Sequence, residues 1–252
     1  MFTSKTKRIE GLAKMFPNTI IELEDIFNNP TSIYIDWSNV IHWQDKLGWS
    51  FHLKRAKQLF DSFDTIRSVK IYTGTLEGNQ KSEDGILELK RFGYDVITKP
   101  VKLMKRSIDA SSIPENSPAL LQEFIKKPLL ELFDIATIIF LNKKLQDINK
   151  KGQKYIEDKK CNFDVEMGRD MLRDFDTNNI ENYCIWTVDS DFADPVQQIT
   201  KDGKRVIIFA TSGKVSPELD ATGVHIFDVK KIREFVCWSR ELEQSIKDKV
   251  DV

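Results

Sequence analysis

Cysteine and long apolar segments are scarce in this sequence. Three cysteines, Cys161, Cys184 and Cys237, occur among 252 residues, and none forms a Cys-x-x-Cys pair. Their odd number and wide spacing argue against a disulfide framework and against a cysteine-based zinc site. The most apolar stretch, residues 128–141, is too short to span a bilayer and contains two acids. These absences predict a soluble protein of the reducing cytoplasm.

An excess of either charge is also absent. Lys and Arg total 38 and Asp and Glu total 39, so the formal net charge is −1. The chain as a whole therefore does not have the charge of a polyanion-binding protein, although a local basic patch is compatible with this total. The first residues lack the apolar core of a signal peptide, and we expect no membrane partner.

Apolar segments of strand length alternate with helical patterns along most of the chain. Six strands are predicted, at residues 32–36, 69–74, 93–100, 183–189, 204–210 and 224–229. Such alternation is typical of an α/β fold with a parallel sheet that helices cover on both faces. We expect this domain to occupy residues 31–235, after a helical extension at 1–30 and before a helical tail at 236–252.

One segment departs from the alternation. Between Pro100 and Cys161 no clear strand is visible, and apolar residues recur at helical spacing. We therefore expect a helical insertion at residues 103–158. The stretch from 99 to 160 holds 13 Lys and Arg against 8 Asp and Glu, which is typical of a solvated helical face. Its apolar content predicts a homodimer through the insertion, with packing on the chain's own core as the alternative.

Acidic residues cluster at the ends of predicted elements. Asp36 ends the first strand, with Asn39 three residues later, and Asp189 and Asp191 follow the fourth strand. Asp164 directly precedes a predicted helix. Ligands of open parallel sheets bind outside the carboxyl ends of the strands, so these side chains meet if the first and fourth strands are neighbours. Crowded carboxylates repel each other, and a divalent cation with oxygen ligands relieves that repulsion.

Each of these residues has a simpler explanation when taken alone. Asp164 and Asp191 are typical N-cap residues of helices, and Asp36 and Asn39 are typical turn formers. Asp170 lies inside the predicted helix, away from the face that carries Asp164, and we expect it at the surface. The combination of acids, rather than any one of them, predicts a site.

Aromatic and histidine residues near the first acid have two interpretations. Trp37, Trp43 and Trp49 are expected to include at least two core residues, and stacking on unpaired bases is the alternative. We expect structural roles for His42 and His225, because a metal-centred reaction needs no histidine.

Four stretches of the sequence resemble the NYN domain, a branch of the PIN-like nuclease superfamily, in its LabA-like group. They are IYIDWSNV, GYDVITKPVK, CNFDVEMGRDML and WTVDSDFADPVQQITKDGKRVIIFA. The resemblance covers residues 32–102 and 159–235; the insertion, Trp37-Ser38 and the run KKCNFDV depart from the family pattern. It implies a Rossmann-like sheet of order 3-2-1-4-5 flanked by helices, and a metal-dependent ribonuclease centre.

The resemblance also implies roles for individual residues. Asp36, Asp164 and Asp189 would bind Mg²⁺ or Mn²⁺. Asn39 would orient the first acid or contact the substrate, and Asp191 would act as a secondary acid. Ser190 would position backbone or water.

Basic residues that follow the third strand are expected to hold the phosphate backbone of RNA, most readily a single strand. They are Lys99, Lys102, Lys105 and Arg106.

Other classes of protein share parts of these motifs. Asp189-Ser190-Asp191 fits the D-x-D of haloacid dehalogenase-type phosphatases, but Phe192 and Ala193 follow where that family has Gly-Thr. A D-x-S-x-S adhesion site at Asp36 lacks its final serine. The strongest alternative is a catalytically inactive RNA-binding or protein-interaction module on the same fold.

Overall fold

The computed structural model describes residues 1–177, 179–211 and 215–250. They divide into two compact units: residues 1–100 together with those from 161 onwards form the first, and residues 101–160 form the second. Among the described residues, no helix combines the length and the apolar character that crossing a membrane requires.

The strands and helices alternate in the first unit, as the sequence predicts. The strands in chain order are β1 (Thr31–Asp36), β2 (Ile66–Thr75), β3 (Asp95–Pro100), β4 (Lys102–Ser107), β5 (Tyr155–Lys160), β6 (Asn182–Trp186), β7 (Arg205–Ala210) and β8 (His225–Asp228). The helices are α1 (Lys7–Met15), α2 (Pro17–Ile26), α3 (Trp37–Val40), α4 (Gln44–Leu47), α5 (Leu53–Phe60), α6 (Gln80–Arg91), α7 (Lys127–Leu130), α8 (Ile135–Lys150), α9 (Asp164–Thr177), α10 (Ala193–Lys201), α11 (Pro217–Asp220), α12 (Arg233–Val236) and α13 (Gln244–Lys247).

A six-stranded parallel sheet forms the centre of the first unit. Its strand order is β3-β2-β1-β6-β7-β8, and every neighbouring pair is parallel. Every residue of β1 and β6 is buried, which explains why apolar residues follow one another without alternation at 33–35 and 183–186. The expected order 3-2-1-4-5 differs from the observed one in detail, because β8 adds a sixth position at the edge.

Aromatic side chains fill the core on one face of this sheet. The ring of Trp186 lies 5.8 Å from that of Phe60 and 5.4 Å from that of Phe209. Phe209 also contacts Phe27 and Phe227, with ring centroids 6.2 Å and 4.7 Å away. Side chains from both terminal segments belong to the same core, among them Ile9, Leu12, Leu23, Leu242 and Ile246.

The second unit contains strands as well as helices. β4 and β5 form an antiparallel pair, and a small apolar cluster of Leu121, Leu130 and Ile138 lies under its helices. The prediction of a purely helical insertion is therefore wrong. Every side chain of β4 and β5 is exposed, so neither strand shows the alternation of apolar and polar residues by which a half-buried strand is recognised.

Candidate active site

Asp36 lies where β1 ends and the chain turns directly into α3. Its Oδ1 accepts a hydrogen bond from the backbone N–H of Asn39 at 3.3 Å, and the residue is only 7% exposed. Burial raises the pKa of Asp36 to about 6, against the lowering effect of the Asn39 N–H. The negative charges of Asp164 and Asp189 also raise this pKa, so both carboxylates lie near Asp36.

Asp164 is in the first turn of α9, and its side chain is partly buried. Burial raises its pKa, and the charges of Asp189 and Asp191 add to the rise. The N–H of Asp164 donates to the side chain of Asn162 at 3.3 Å. Because α9 begins at Asp164 itself, the residue lies inside the helix rather than at the position before it, where an N-cap belongs.

Asp189 follows β6, which pairs directly with β1. Its Oδ1 accepts the backbone N–H of Asp191 at 3.2 Å, which caps a short 3-10 turn at Ser190–Phe192. Ser190 is partly buried and Asp191 is exposed at the rim. The fold therefore brings carboxylates from three distant segments to the carboxyl edge of the sheet, where β1 and β6 meet.

These carboxylates have the donor chemistry that Mg²⁺ and Mn²⁺ prefer. Among the described residues, however, no three His, Cys, Asp or Glu side chains lie close enough to hold one ion by themselves. Mg²⁺ commonly keeps several waters and uses one or two carboxylates. The side chains therefore fit a cation that is held partly through water better than one enclosed by protein ligands.

Lys99, at the end of β3, is paired with an acid that the sequence motifs do not single out. Its Nζ lies 2.7 Å and 2.8 Å from the two carboxylate oxygens of Glu166, and 4.8 Å from the ring centre of Phe163. The hydrogen bond from Lys99 lowers the pKa of Glu166. Lys99 also opposes the rise in the pKa of Asp164, so this cation lies beside the acidic cluster but is engaged by Glu166.

The other predicted phosphate contacts belong to the second unit. Lys102, Lys105 and Arg106 are exposed on β4. Arg106 forms an ion pair with Asp158 at 2.9 Å, and Lys105 lies 4.3 Å from the ring centre of Tyr155.

Asn39 contacts the first acid through its backbone, whereas its side chain is used elsewhere. The Asn39 Oδ1 accepts a hydrogen bond from the indole N–H of Trp43 at 3.0 Å. Trp43 and Trp49 are both buried in the core, as expected for at least two of the three tryptophans.

A cavity of about 360 Å³ opens beside the acidic cluster. Its lining residues come from the segments after β1, β6, β7 and β8; they are Ser38, Asn39, His42, Trp43, Lys46, Leu47, Val188, Thr211 and Lys230. The apolar walls, with Lys46 and Lys230 at an exposed rim, suit a ligand that has a flat apolar part and a negative charge. The sequence did not reveal this cavity, because Lys46 and Lys230 are far apart in the chain.

Helix α9 buries two further carboxylates against the sheet. The prediction of a surface position for Asp170 is wrong: it is 8% exposed, and its Oδ2 accepts the hydroxyl hydrogen of Tyr72 at 3.1 Å. Asp174 accepts hydrogen bonds from the Tyr34 hydroxyl and, at 2.6 Å, from the ammonium of Lys70. We call Asp170, Asp174, Tyr34, Lys70 and Tyr72 the polar layer.

The polar layer also explains which face of α9 is buried. Apolar spacing predicts that Val165 and Leu172 point inward, yet both are exposed. Met167 and Met171 are buried together with the two acids. The helix turns this way because tyrosine and lysine donors on β1 and β2 satisfy carboxylates that would otherwise be costly to bury.

Comparisons with known proteins agree with this fold. The NYN domain family model matches residues 134–234, a range that includes Asp164, Asp189 and Asp191 but not Asp36. A crystal structure of a protein of unknown function from Vibrio parahaemolyticus superimposes with a TM-score of 0.51, covering 82% of this chain and 94% of that chain at 14% identity. That identity supports a likeness of fold alone. No curated protein matches the chain. Residues 134–234 are therefore similar to the NYN domain, and the parallel sheet flanked by helices is consistent with a PIN/NYN-like fold.

Proposed function

We propose that this protein is a metal-dependent ribonuclease that hydrolyses phosphodiester bonds of RNA. The observation that carries the proposal is the position of Asp36 and Asp189 after the neighbouring strands β1 and β6, where burial and the charges of nearby aspartates raise the pKa values of Asp36 and Asp164. Like charges held together in a folded protein cost stability, and titratable groups perturbed in this way cluster at functional sites.

Asp36, Asp164 and Asp189 would hold the cation, Mg²⁺ or Mn²⁺. When bound, the cation would supply a Lewis acid for the phosphodiester and lower the pKa of water at the site. Asp36 is the anchor of the cluster, because it is buried and its carboxylate is fixed by the Asn39 N–H. Asp191 is the secondary acid at the exposed rim, and Ser190 positions the turn between the two acids or a water beside it.

Positive side chains would attract the RNA phosphates. Lys99 acts on the pKa of Asp164, and it would bind a phosphate oxygen by exchanging its partner Glu166. The exposed Lys102, Lys105 and Arg106 of β4 provide further phosphate contacts.

The cavity beside the cluster would accept an unpaired base next to the cleaved bond. Trp43, Leu47 and Val188 offer apolar contact to a base, and Lys46 and Lys230 attract the adjoining phosphates. A base can enter such a cavity only when it is not paired, which favours single-stranded RNA as the substrate.

One observation favours the alternative of a catalytically inactive RNA-binding or protein-interaction module. In the described part of the chain, no three potential ligands are arranged to hold an ion without water. A module of this kind would bind RNA or a protein partner without cleaving RNA.

A cleavage assay separates the two functions. Wild-type protein, Asp36→Asn, Asp189→Asn and the exposed control Asp176→Asn are incubated with generic single-stranded RNA, with Mg²⁺, Mn²⁺ or EDTA. We expect cleavage by wild type and by the control in the presence of metal only, and none by the two cluster variants. Equal cleavage by wild type and Asp36→Asn would indicate a contaminant. RNA binding by wild type without cleavage would favour the module.

The second unit supports self-association as a further part of the proposal. Leu132, Ile135 and Phe140 are exposed on it, and a contiguous patch of such side chains would mark a surface that binds a partner. Sedimentation at high micromolar concentration tests this: a homodimer is expected for wild type and a monomer for Leu132→Glu. A strictly monomeric wild type would contradict it. The cytoplasm is the proposed location, in keeping with three free cysteines.

A further inference from the structure

A second concave site lies where the first turns of α1 and α5 approach each other. The cavity measures about 390 Å³, and none of its lining residues belongs to the acidic cluster. Lys7, Arg8, Lys54 and Arg55 contribute four positive charges to it, and no acidic residue is among the described side chains that line it. A cavity lined in this way attracts anions.

Two of these cations are buried, and neither has a carboxylate partner among the residues that the structure describes. Arg8 is 6% exposed and Arg55 is 8% exposed. The Arg55 guanidinium donates to the carbonyl oxygen of Cys237 at 2.9 Å and to the hydroxyl of Ser239, which are both neutral acceptors. Arg8 donates to the carbonyl oxygen of Glu234 at 3.5 Å, and its Nη2 has no hydrogen-bond partner among the described residues.

Glu234 and Glu241, two acidic residues near Arg8 and Arg55, have other partners. The carboxylate of Glu234 pairs with Arg233 at 2.9 Å. The carboxylate of Glu241 accepts the backbone N–H groups of Ser50 and Trp238, both at 3.0 Å. The positive charge of the two buried arginines is therefore left without a compensating carboxylate in the described part of the chain.

The electrostatics of the arginines reflect this imbalance. Burial lowers the pKa of Arg8 to about 10, and the charge of Arg55 lowers it further. Burial also lowers the pKa of His52, another residue that lines the cavity, and the charges of Arg55 and Arg8 add to that effect. Buried charges are normally paired, so a cluster of buried cations of this kind favours the binding of an anion.

Two helix N-termini add to the positive field of the cavity. α1 begins at Lys7 and α5 at Leu53, and the side chain of His52, at the N-cap position of α5, makes no capping hydrogen bond. Helix N-termini present backbone N–H groups and the positive end of the helix dipole, which together favour phosphate-like anions.

We propose that this cavity binds a phosphate group through Lys7, Arg8, Lys54 and Arg55. A phosphate carries enough charge and enough acceptor oxygens to engage several cations at once, and arginine forks match its geometry. The group belongs either to the RNA backbone or to a free phosphate. Binding here does not depend on the cleavage reaction.

Calorimetric titration with inorganic phosphate at constant ionic strength tests the proposal. The exposed lysines are changed together, in Lys7→Gln/Lys54→Gln, because substitution of a buried arginine endangers folding. Lys14→Gln, an exposed lysine at the other end of α1, is the matched control. We expect wild type and the control to bind one phosphate per chain, and the double variant to bind at least about tenfold more weakly.

Thermal unfolding gives a second readout. Phosphate is expected to raise the Tm of wild type more than chloride does at the same ionic strength, and to lose that effect in the double variant, because only the native state holds the ligand. Equal affinities of wild type and double variant, or no difference between phosphate and chloride in wild type, would overturn the proposal.

RNA competition identifies the source of the phosphate. In EDTA, an RNA oligonucleotide that displaces inorganic phosphate, and whose binding loses part of its salt dependence in Lys7→Gln/Lys54→Gln, identifies the RNA backbone as the ligand. Phosphate binding that persists in RNA-saturated protein identifies a free phosphate. Either result supports the phosphate site.

Discussion

Two sets of carboxylates include residues of α9, and their surroundings differ. Asp170 and Asp174, in the polar layer, are each held by side-chain donors from the sheet. At the carboxyl edge, the charges of Asp164 and Asp189 raise the pKa of Asp36, and among the described residues none of the three forms an ion pair with Lys or Arg.

Burial does not separate the two sets. Asp36 is 7% exposed and Asp170 is 8% exposed, yet Asp170 has a tyrosine and an arginine as partners whereas Asp36 has backbone N–H groups and like charges nearby. Pairing therefore distinguishes the acids that hold α9 in place from the acids that form the candidate site. The polar layer also positions Asp164, because it fixes the helix in whose first turn that residue lies.

Asp36→Asn should reduce activity more than any other substitution, and it should not reduce stability. We expect RNA cleavage to fall by at least about 1,000-fold, because a charged member of the cluster is lost. The Tm of the metal-free protein should stay the same or rise, because repulsion from Asp164 and Asp189 is relieved. Cleavage kinetics and thermal unfolding in EDTA measure the two effects. A large fall in Tm would assign Asp36 to the structural set instead.

Asp174→Asn should show the reverse pattern. The free energy of unfolding is expected to fall by about 3 kcal/mol, because the mutation leaves the largely buried ammonium of Lys70 without its carboxylate. Cleavage per folded molecule should remain close to wild type. Urea unfolding and active-fraction assays measure these quantities, with the exposed Asp176→Asn on the same helix as the control. If Asp174→Asn were as stable as wild type, Asp174 would not belong to a structural set of carboxylates.

Tyr72→Phe is a smaller change within the polar layer. It removes one hydroxyl donor to Asp170 and keeps the ring, so we expect a loss of about 1–2 kcal/mol in urea unfolding. Tyr155→Phe, at an exposed position in the second unit, should leave stability unchanged. Equal effects of the two substitutions would mean that the Asp170 pair contributes little.

Lys46→Gln/Lys230→Gln tests the cavity beside the acidic cluster. We expect RNA binding to weaken by about fivefold, and the slope of log affinity against log salt to fall by up to about one per lysine, because phosphate contacts are lost. Binding titrations at several salt concentrations measure both. Lys201→Gln, at the exposed end of α10, is the control. An unchanged slope in the double variant would show that Lys46 and Lys230 do not contact RNA phosphates.

Much of the central sheet could be predicted from the sequence. Strands Thr31–Asp36 and Arg205–Ala210 are buried along most of their length, so each contains an uninterrupted apolar run, at residues 33–35 and 206–210. Acids at the ends of such strands predict convergence, because parallel strands place their carboxyl ends at one edge. The exposed strands β4 and β5 carry no such signal, and they were missed.

Residues 164–177 show what a sequence leaves open. The helix itself follows from the sequence, but its buried face does not: Asp170 and Asp174 point inward only because Tyr72, Tyr34 and Lys70 lie opposite them on the sheet. Hydrophobic periodicity assumes that buried positions are apolar, and it fails where a distant strand supplies the donors.

The sequence by itself determined the alternation of strands and helices and the positions of the acids at their ends, because strand, helix and turn formation depend on residues that are close together in the sequence. Only the tertiary structure decided which charges are paired and which are left crowded. The carboxylates at the sheet edge form one such cluster, and the guanidinium groups of Arg8 and Arg55 form another. In each cluster the residues come from segments far apart in the chain, and electrostatic interactions depend on distance in space rather than along the sequence.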